Sequence, residues 1–325
     1  MKAVLCKSWG PPESLVVEDV ATPRAAKGQI VVAVKACGVN FPDTLIIQGK
    51  YQVRPELPFS PGGEVAGVVK EVGEGVQGLR EGDAVIAFAG YGGYAEEMQV
   101  DAARAVAMPP GVDFPVAASF VVAYATSHHA LYDVARLQAG ETLLVLGAAG
   151  GTGLAAVELG RRAGARVIAA ASSEEKLRTC RERGAAEGIN YEKEDLREAL
   201  RSLTGGRGVD VVYDPVGGKY AEPAFRGTGW RGRYLVIGFA SGEIPKFPLN
   251  QALLMERRIL GVYWGESTRR DPGASRAGVM ELAAWLASGE IRPYVSATYP
   301  LERAPQALED LMARKVQGKV VLLTQ

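Results

Sequence analysis

The spacing of apolar and polar residues changes character near residue 110. Before that point apolar residues fall in short runs broken by glycine, proline and charge. Strands are predicted over residues 2–7, 15–20 and 29–36, the last read as alternating, and Gly10-Pro11-Pro12 and Thr22-Pro23 separate them. The stretch 62–69 leads into another strand. Glycines at 73, 75, 78 and 82 make residues 71–83 a series of linked turns before a strand at 84–88. Short strands with this punctuation and little helical periodicity predict a partly open β-barrel.

After Pro109-Pro110-Gly111 the rhythm becomes that of alternating strands and helices. Residues 116–134 are mostly helical by composition. Strands are then predicted at 143–146, 166–171, 188–190, 209–213, 234–237 and 259–262. Helices are predicted between them at 154–163, 174–183 and 194–204, with a poorly defined one near 220–225. This alternation predicts a doubly wound parallel sheet. A helix over 276–288, a strand at 296–299, a helix over 303–314 and a strand at 319–323 complete the chain. That tail is expected to rejoin the barrel, giving a discontinuous domain of residues 1–120 and 266–325 around a second domain of residues 121–265. The fold class is α/β.

The most informative stretch is LLVLGAAGGTG, residues 143–153. A buried strand running through glycines into a helix leaves backbone N–H groups unpaired at the helix start, where the macrodipole also favours negative charge. Such a turn cradles a phosphate, or else is a glycine-rich turn with no ligand. The second strand of the alternating region ends in Ala169-Ala170-Ala171-Ser172-Ser173, where an NAD site carries a carboxylate for the ribose 2′-hydroxyl. Glu174 and Glu175 come one step later, and Ser172-x-x-Glu175 has capping-box spacing. Lys176 could reach a 2′-phosphate, which a free carboxylate would repel. These residues favour NADPH over NADH, although for an isolated lysine such as Lys176 a solvated helix-surface position is the commoner case.

Composition narrows the partners. In 325 residues, 47% of them hydrophobic, 37 basic side chains balance 37 acidic ones, so no global field points to nucleic acid or an anionic membrane. The three cysteines lack CxxC spacing and read as reduced thiols. With only two histidines, the adjacent His128 and His129, a transition-metal site is poorly supplied with ligands. Neighbouring helix positions also point in different directions. The start of the chain lacks the pattern of a signal peptide, and no apolar run is long enough to span a bilayer. The expectation is a soluble, cytoplasmic protein.

Six stretches together resemble the zinc-independent quinone oxidoreductases of the medium-chain dehydrogenase/reductase superfamily. They are Cys37-Gly38-Val39-Asn40-Phe41-Pro42-Asp43, Pro61-Gly62-Gly63-Glu64-Val65-Ala66-Gly67, Gly82-Asp83-Ala84-Val85, Ala148-Ala149-Gly150-Gly151-Thr152-Gly153, Asp214-Pro215-Val216-Gly217-Gly218 and Gly318-Lys319-Val320-Val321-Leu322. The resemblance runs essentially from end to end in the family order. It implies a GroES-like partly open β-barrel, a Rossmann domain, and a cleft between them where nicotinamide meets substrate. Zinc-dependent relatives carry cysteine at the position of Asn40 and histidine at that of Gly63, and neither residue here replaces a zinc ligand. No cysteine lies between 84 and 101, so the structural-zinc lobe is missing as well. Without a Lewis acid a simple alcohol is a poor hydride donor, and the resemblance points to quinones or alkenes conjugated to a carbonyl as acceptors.

The resemblance also assigns residues. Asn40, Asp43 and Tyr51 fall on the catalytic or substrate side. Asn40 is matched to the nicotinamide ribose as well, or is a turn residue bonding its own backbone. Asp43 orients its neighbours or caps a helix, and Tyr51 donates a proton or serves as an aromatic wall. Thr126 matches a threonine beside the nicotinamide, or is a helix threonine bonding back to a carbonyl. Gly150, Gly151, Thr152 and Gly153 take the phosphates. Ser172, Lys176 and Tyr191 surround the 2′-phosphate, with Arg314 approaching it. Gly238, Phe239 and Ser241 line the nicotinamide pocket, with Asp214-Pro215-Val216 as another wall. The family habit of pairing the last Rossmann strands, here Gly261-Val262-Tyr263, implies a homodimer. An enoyl-thioester or alkenal reductase of the same fold, or a non-catalytic NADPH-binding structural or regulatory protein, remain the alternatives.

Overall fold

The computed structural model describes residues 1–324. Its strands are Lys2–Leu5 (β1), Val16–Asp19 (β2), Gln29–Val39 (β3), Glu64–Val72 (β4), Ala84–Phe88 (β5), Glu97–Asp101 (β6) and Ala105–Ala107 (β7), followed by Thr142–Leu146 (β8), Arg166–Ala171 (β9), Glu187–Asn190 (β10), Val209–Asp214 (β11), Thr228–Val236 (β12) and Arg258–Gly261 (β13), and finally Val295–Pro300 (β14) and Lys319–Leu323 (β15). The chain divides into two compact units, one of residues 1–122 and 279 onward, the other of residues 123–278.

The first unit is built around β3, the 11-residue strand. Along one side it pairs antiparallel with β4. Residues at its start, Gln29–Ala33, also pair with β6, while Ala36–Val39 pair with the C-terminal strand β15. Two irregularities in the β3–β4 register let one long strand coil past successive partners. The sheet order is β14-β15-β3-β4-β5-β7, with β6 branching from β3. Its apolar interior includes Ile30, Val32, Val34, Val65, Val85 and Tyr94, all buried. Neither β6 nor β7 is marked by the sequence pattern above. In β6 the sequence Glu-Met-Gln-Val-Asp does alternate, with Met98 and Val100 inward, but over too few residues to stand out.

The second unit is a six-stranded parallel sheet of order β10-β9-β8-β11-β12-β13. The chain works outward from β8 in one direction, then returns and works outward in the other, which is the Rossmann order. Leu143, Leu144, Val145 and Leu146 of β8 are completely buried, as a central strand covered on both faces requires. The segment expected to be one helix over 116–134 is less regular. It begins at Phe114, where the Asp113 carboxylate accepts from Val116 N–H at 2.8 Å, and winds into wider π turns at Val121–Ala125 and His129–Val134 around a short α-helical turn, Thr126–His128. Helices at Asn250–Met255 and Trp264–Arg270 add to those the sequence pattern marks. Among the described residues no helix is long and apolar enough to cross a membrane.

Candidate functional site

Within the parallel-sheet unit, the expected cofactor residues other than Thr126, which lies in a short helical turn before β8, follow the C-terminal ends of the strands. β8 runs into Gly147, whose φ of +56° turns the chain, and Gly150 begins the helix Gly151–Arg162 with no side chain capping it. The first-turn N–H groups of that helix therefore point out beside a favourable dipole. At Gly153 a side chain could not be fitted, because a Cβ there would lie 2.4 Å from the Gly147 carbonyl oxygen. The turn keeps its closeness only with glycine at that position. Next to it, Ser127 Oγ donates to the Thr152 carbonyl at 3.0 Å and bonds Tyr213 Oη at 2.8 Å, holding the turn after Thr126 against the start of the helix.

The end of β9 carries the electrostatics. Ser173, not Ser172, caps the helix Glu174–Glu182, its Oγ accepting from Lys176 N–H at 3.3 Å. This corrects the capping-box expectation, since the helix starts one residue later than that spacing implied. Ser172 is released from capping, and Lys176 Nζ donates to Ser172 Oγ at 3.1 Å. Glu174 turns aside, accepting from Asn190 Nδ2 at 3.3 Å and lying 3.9 Å from Arg181. An ammonium and a hydroxyl thus stand together at this strand end, while Glu174 bonds Asn190 and faces Arg181. Tyr191, just past β10, packs against Tyr220 with ring centroids 4.2 Å apart and planes tilted by 38°.

Two βα loops complete this edge. Asp214 ends β11, and its buried carboxylate accepts from Val216 N–H at 2.7 Å, from Gly217 N–H at 2.9 Å and from the Tyr234 hydroxyl. Burial raises its pKa. That side chain shapes its own loop. The loop after β12 is tied to the one after β11, with Ala240 N–H donating to Pro215 O at 3.0 Å and Ser241 N–H to Val216 O at 2.9 Å. Gly238, Phe239 and Ser241 are thereby held beside Pro215 and Val216.

In the barrel unit a buried polar cluster joins four distant pieces of chain. Lys319 Nζ, at the start of β15, donates to Glu64 Oε1 at 2.7 Å, to Asn40 Oδ1 at 2.5 Å and to Val39 O at 3.2 Å. Glu64 Oε1 also accepts from Asn40 Nδ2 at 2.9 Å, and Glu64 Oε2 from Val122 N–H at 2.8 Å. Glu64 is fully buried and Lys319 is 5% exposed. A pair this enclosed survives because its remaining lone pairs and protons are hydrogen-bonded. Asn40 is clamped by both ends of its amide, and its Nδ2 also donates to Gly38 O at 3.4 Å, so the turn reading, in which it bonds its own backbone, describes only the longest of its contacts.

Asp43 forms the next layer. Its Oδ2 accepts from Asn40 N–H at 2.8 Å and from the Tyr94 hydroxyl at 3.0 Å. It sits in the first turn of the helix Phe41–Ile46, so it both supports that helix start and fixes Asn40. Burial raises its pKa to about 7, outweighing the two hydrogen bonds and the Lys319 charge, which act in the other direction. Burial likewise pushes the Cys37 thiol and the Tyr94 phenol well above their usual values. Cys37 is therefore a protonated core thiol, packed under Gly62, where a Cβ would strike the Tyr94 ring.

The alcohol dehydrogenase GroES-like domain model matches residues 26–110, and the zinc-binding dehydrogenase model matches residues 151–283. A quinone oxidoreductase-like protein 2 homolog of Nematostella vectensis is 39% identical across 100% of this chain and 89% of its own length. Human quinone oxidoreductase is 31% identical across 99% and 98%. The chain belongs to the quinone oxidoreductase family of medium-chain dehydrogenase/reductases. A crystal structure of Escherichia coli quinone oxidoreductase complexed with NADPH superposes with a TM-score of 0.91 at 31% identity, covering 99% of this chain and 100% of that one.

The other site residues assigned from the family distribute as follows. Tyr51 is partly buried and packs its ring against the barrel's apolar core. Arg314 follows the helix Ala304–Met312 in the barrel unit, with a left-handed φ of +56°. His128 and His129 do not converge on each other: the first packs edge-on against Tyr132, the second bonds Asp133 at 2.8 Å. Glu64, Lys319 and Tyr94 were not assigned any role by the sequence. The first two lie inside motifs that carry the family resemblance, which is the signal that could have marked them. Tyr94 has no comparable signal, because only folding brings it to Asp43.

Proposed function

We propose that this chain is an NADPH-dependent oxidoreductase that passes hydride to a quinone or a similar electron-poor acceptor without zinc. The observation that carries the reading is the Lys176–Ser172 pair at the end of β9, with Glu174 drawn off by Asn190 and Arg181. A 2′-phosphate fits an ammonium and a hydroxyl there, whereas the ribose hydroxyl of NADH would lack its carboxylate partner. The NADPH complex of the Escherichia coli relative supports the same cofactor. Bound NADPH supplies hydride from C4 of its nicotinamide.

The residues of the chain bind and orient. The uncapped helix start at Gly150, Gly151, Thr152 and Gly153 offers N–H groups to the diphosphate. Lys176, Ser172 and Tyr191 hold the 2′-phosphate, with Arg314 as a second cation. Thr126, Gly238, Phe239 and Ser241 bound the nicotinamide. Asn40, held at both ends by Lys319 and Glu64, keeps one fixed amide orientation, and Asp43 holds its backbone; a rigid amide orients a partner without reorganising during reaction. Tyr51 or water returns a proton to the reduced product. The zinc-free reading rests on the donor set: Asn40 and Gly63 are not replacement ligands, and the Asn40 oxygen already accepts from an ammonium. Among the described residues no three His, Cys, Asp or Glu are grouped to hold a metal ion.

The protein is read as a cytoplasmic homodimer. Supporting the dimer, β13 is a sheet edge, and Ile244, Leu249, Leu253 and Leu254 in the same unit are 71%, 75%, 78% and 65% exposed. The deciding experiment compares NADPH oxidation with 1,4-benzoquinone, an alkenal and an enoyl-thioester, each with and without a zinc chelator. Chelator-insensitive turnover favouring the quinone is expected. Preference for either alkene transfers the assignment to an alkene reductase, and no turnover with any acceptor transfers it to a non-catalytic binding protein.

A further inference from the structure

The chain as a whole balances its charges, yet one small groove in the parallel-sheet unit is lined by five arginines and no acid: Arg197, Arg201, Arg207, Arg226 and Arg257. Its volume is about 160 Å³. Two of the five have local carboxylate partners, Arg226 with Glu222 and, at 4.0 Å, Arg201 with Glu198. Arg257 spends its donors on the carbonyls of Thr228 and Arg226, both at 2.9 Å, so it is partly a structural clamp. No ion pair joins Arg197 or Arg207 to a carboxylate among the described residues. Burial lowers the Arg257 pKa, and the neighbouring charges of Arg226 and Arg197 lower it further. Convergent guanidinium groups repel one another unless an anion lies among them.

The groove lies away from the glycine turn. Gly208 and Thr228 stand at the N-terminal ends of β11 and β12, whereas the expected cofactor residues of this unit other than Thr126 follow the C-terminal ends of the strands. A six-residue strand separates the two edges by about 20 Å. The backbone of the loop 204–208 contributes shape but few free donors: Gly208 N–H bonds Thr204 Oγ1, Gly206 N–H bonds Arg201 O, and Arg207 N–H bonds Thr204 O. Recognition therefore falls on the guanidinium forks, whose planar donors match phosphate oxygens. Size decides the rest. Dinucleotide and drug-sized pockets run from about 300 Å³ upward, and this one is about half that. A nucleic acid needs an extended basic track rather than one small groove. A single carboxylate would leave most of the forks unmatched.

We propose that this groove is a second anion site, selective for a diphosphate group and separate from the cofactor edge. The group could arrive as free inorganic pyrophosphate or as the end of a nucleoside diphosphate. Calorimetric titration of the full chain with inorganic pyrophosphate, in saturating NADPH so that any cofactor phosphate site is filled, tests it. Saturable binding of one pyrophosphate per chain is expected, tighter than that of orthophosphate. It should weaken about tenfold or more in Arg197→Gln with Arg207→Gln, two exposed side chains whose loss leaves the core intact. An ADP arm distinguishes the sources: binding at least as tight as pyrophosphate assigns the nucleotide, and weaker binding assigns the free anion. Absence of saturable pyrophosphate binding, or equal binding by the doubly substituted chain, overturns the proposal.

Discussion

Replacing Asp43 with asparagine should remove a pH dependence built into the barrel. Asp43 is 3% exposed and accepts from Asn40 N–H and the Tyr94 hydroxyl, but burial still raises its pKa from 3.8 to about 7. The folded state thus holds the proton more tightly than the unfolded chain does. The stability linked to that proton is complete below the unfolded value, near pH 4, and is lost as pH rises through about 7. At about 1.4 kcal/mol per unit, the full span comes to about 4 kcal/mol, of which about 3 kcal/mol falls between about pH 5 and about pH 8. An asparagine side chain cannot titrate, while every other group is common to both proteins. Urea midpoints of wild type and Asp43→Asn, measured at intervals over that range and converted with the denaturant slope, should diverge. Wild type loses ground relative to the variant as pH rises. Parallel curves would refute the reasoning, because they would mean that Asp43 is ionised in the fold at all these pH values.

Lys319→Met leaves the buried Glu64 carboxylate without its cation and should cost about 3–5 kcal/mol by denaturant unfolding; adding Glu64→Gln should recover much of it, and a second substitution that makes matters worse would argue against the pair. Lys176→Ala should shrink the ratio of NADH to NADPH dissociation constants by about tenfold or more, read from nicotinamide fluorescence, since it removes one charge-assisted contact to the 2′-phosphate. An unchanged ratio would remove Lys176 from the site. Leu253→Asp with Leu254→Asp should convert a dimer to a monomer in light scattering at unchanged helix and strand content. A dimer that persists would move the interface elsewhere.

The clarity with which the sequence announced each part follows the range of the interactions that make it. β8 and β9 are largely apolar, buried runs, and the glycine turn is a local strand–turn–helix signature, so both are visible in a short window. The turn of Ala171-Ser172-Ser173 is visible too, but which serine caps the helix depends on where the helix begins, and a spacing rule misplaced it by one residue. The region 114–134 reads as helical because its composition is; its π turns are set by what packs against it. β6 and β7 are short strands whose pairing partners lie far along the chain, so their identity is a matter of neighbours rather than pattern.

By itself the sequence determined the alternation of strands and helices, the glycine turn after β8, the lack of a carboxylate at the end of β9, and an amide and a glycine at positions 40 and 63. All of these are properties of residue type and near spacing. Only the tertiary structure decided that Asn40 is gripped by Glu64, 24 residues on, and by Lys319, 279 residues on. The same holds for Asp43, which meets Tyr94 across 51 residues, and for the five arginines of the far groove, drawn from separate helices, a loop and a strand approach. Burial and charge proximity depend on the whole fold, because the cost of a buried carboxylate is set by everything that excludes water from it. No window of sequence contains that information.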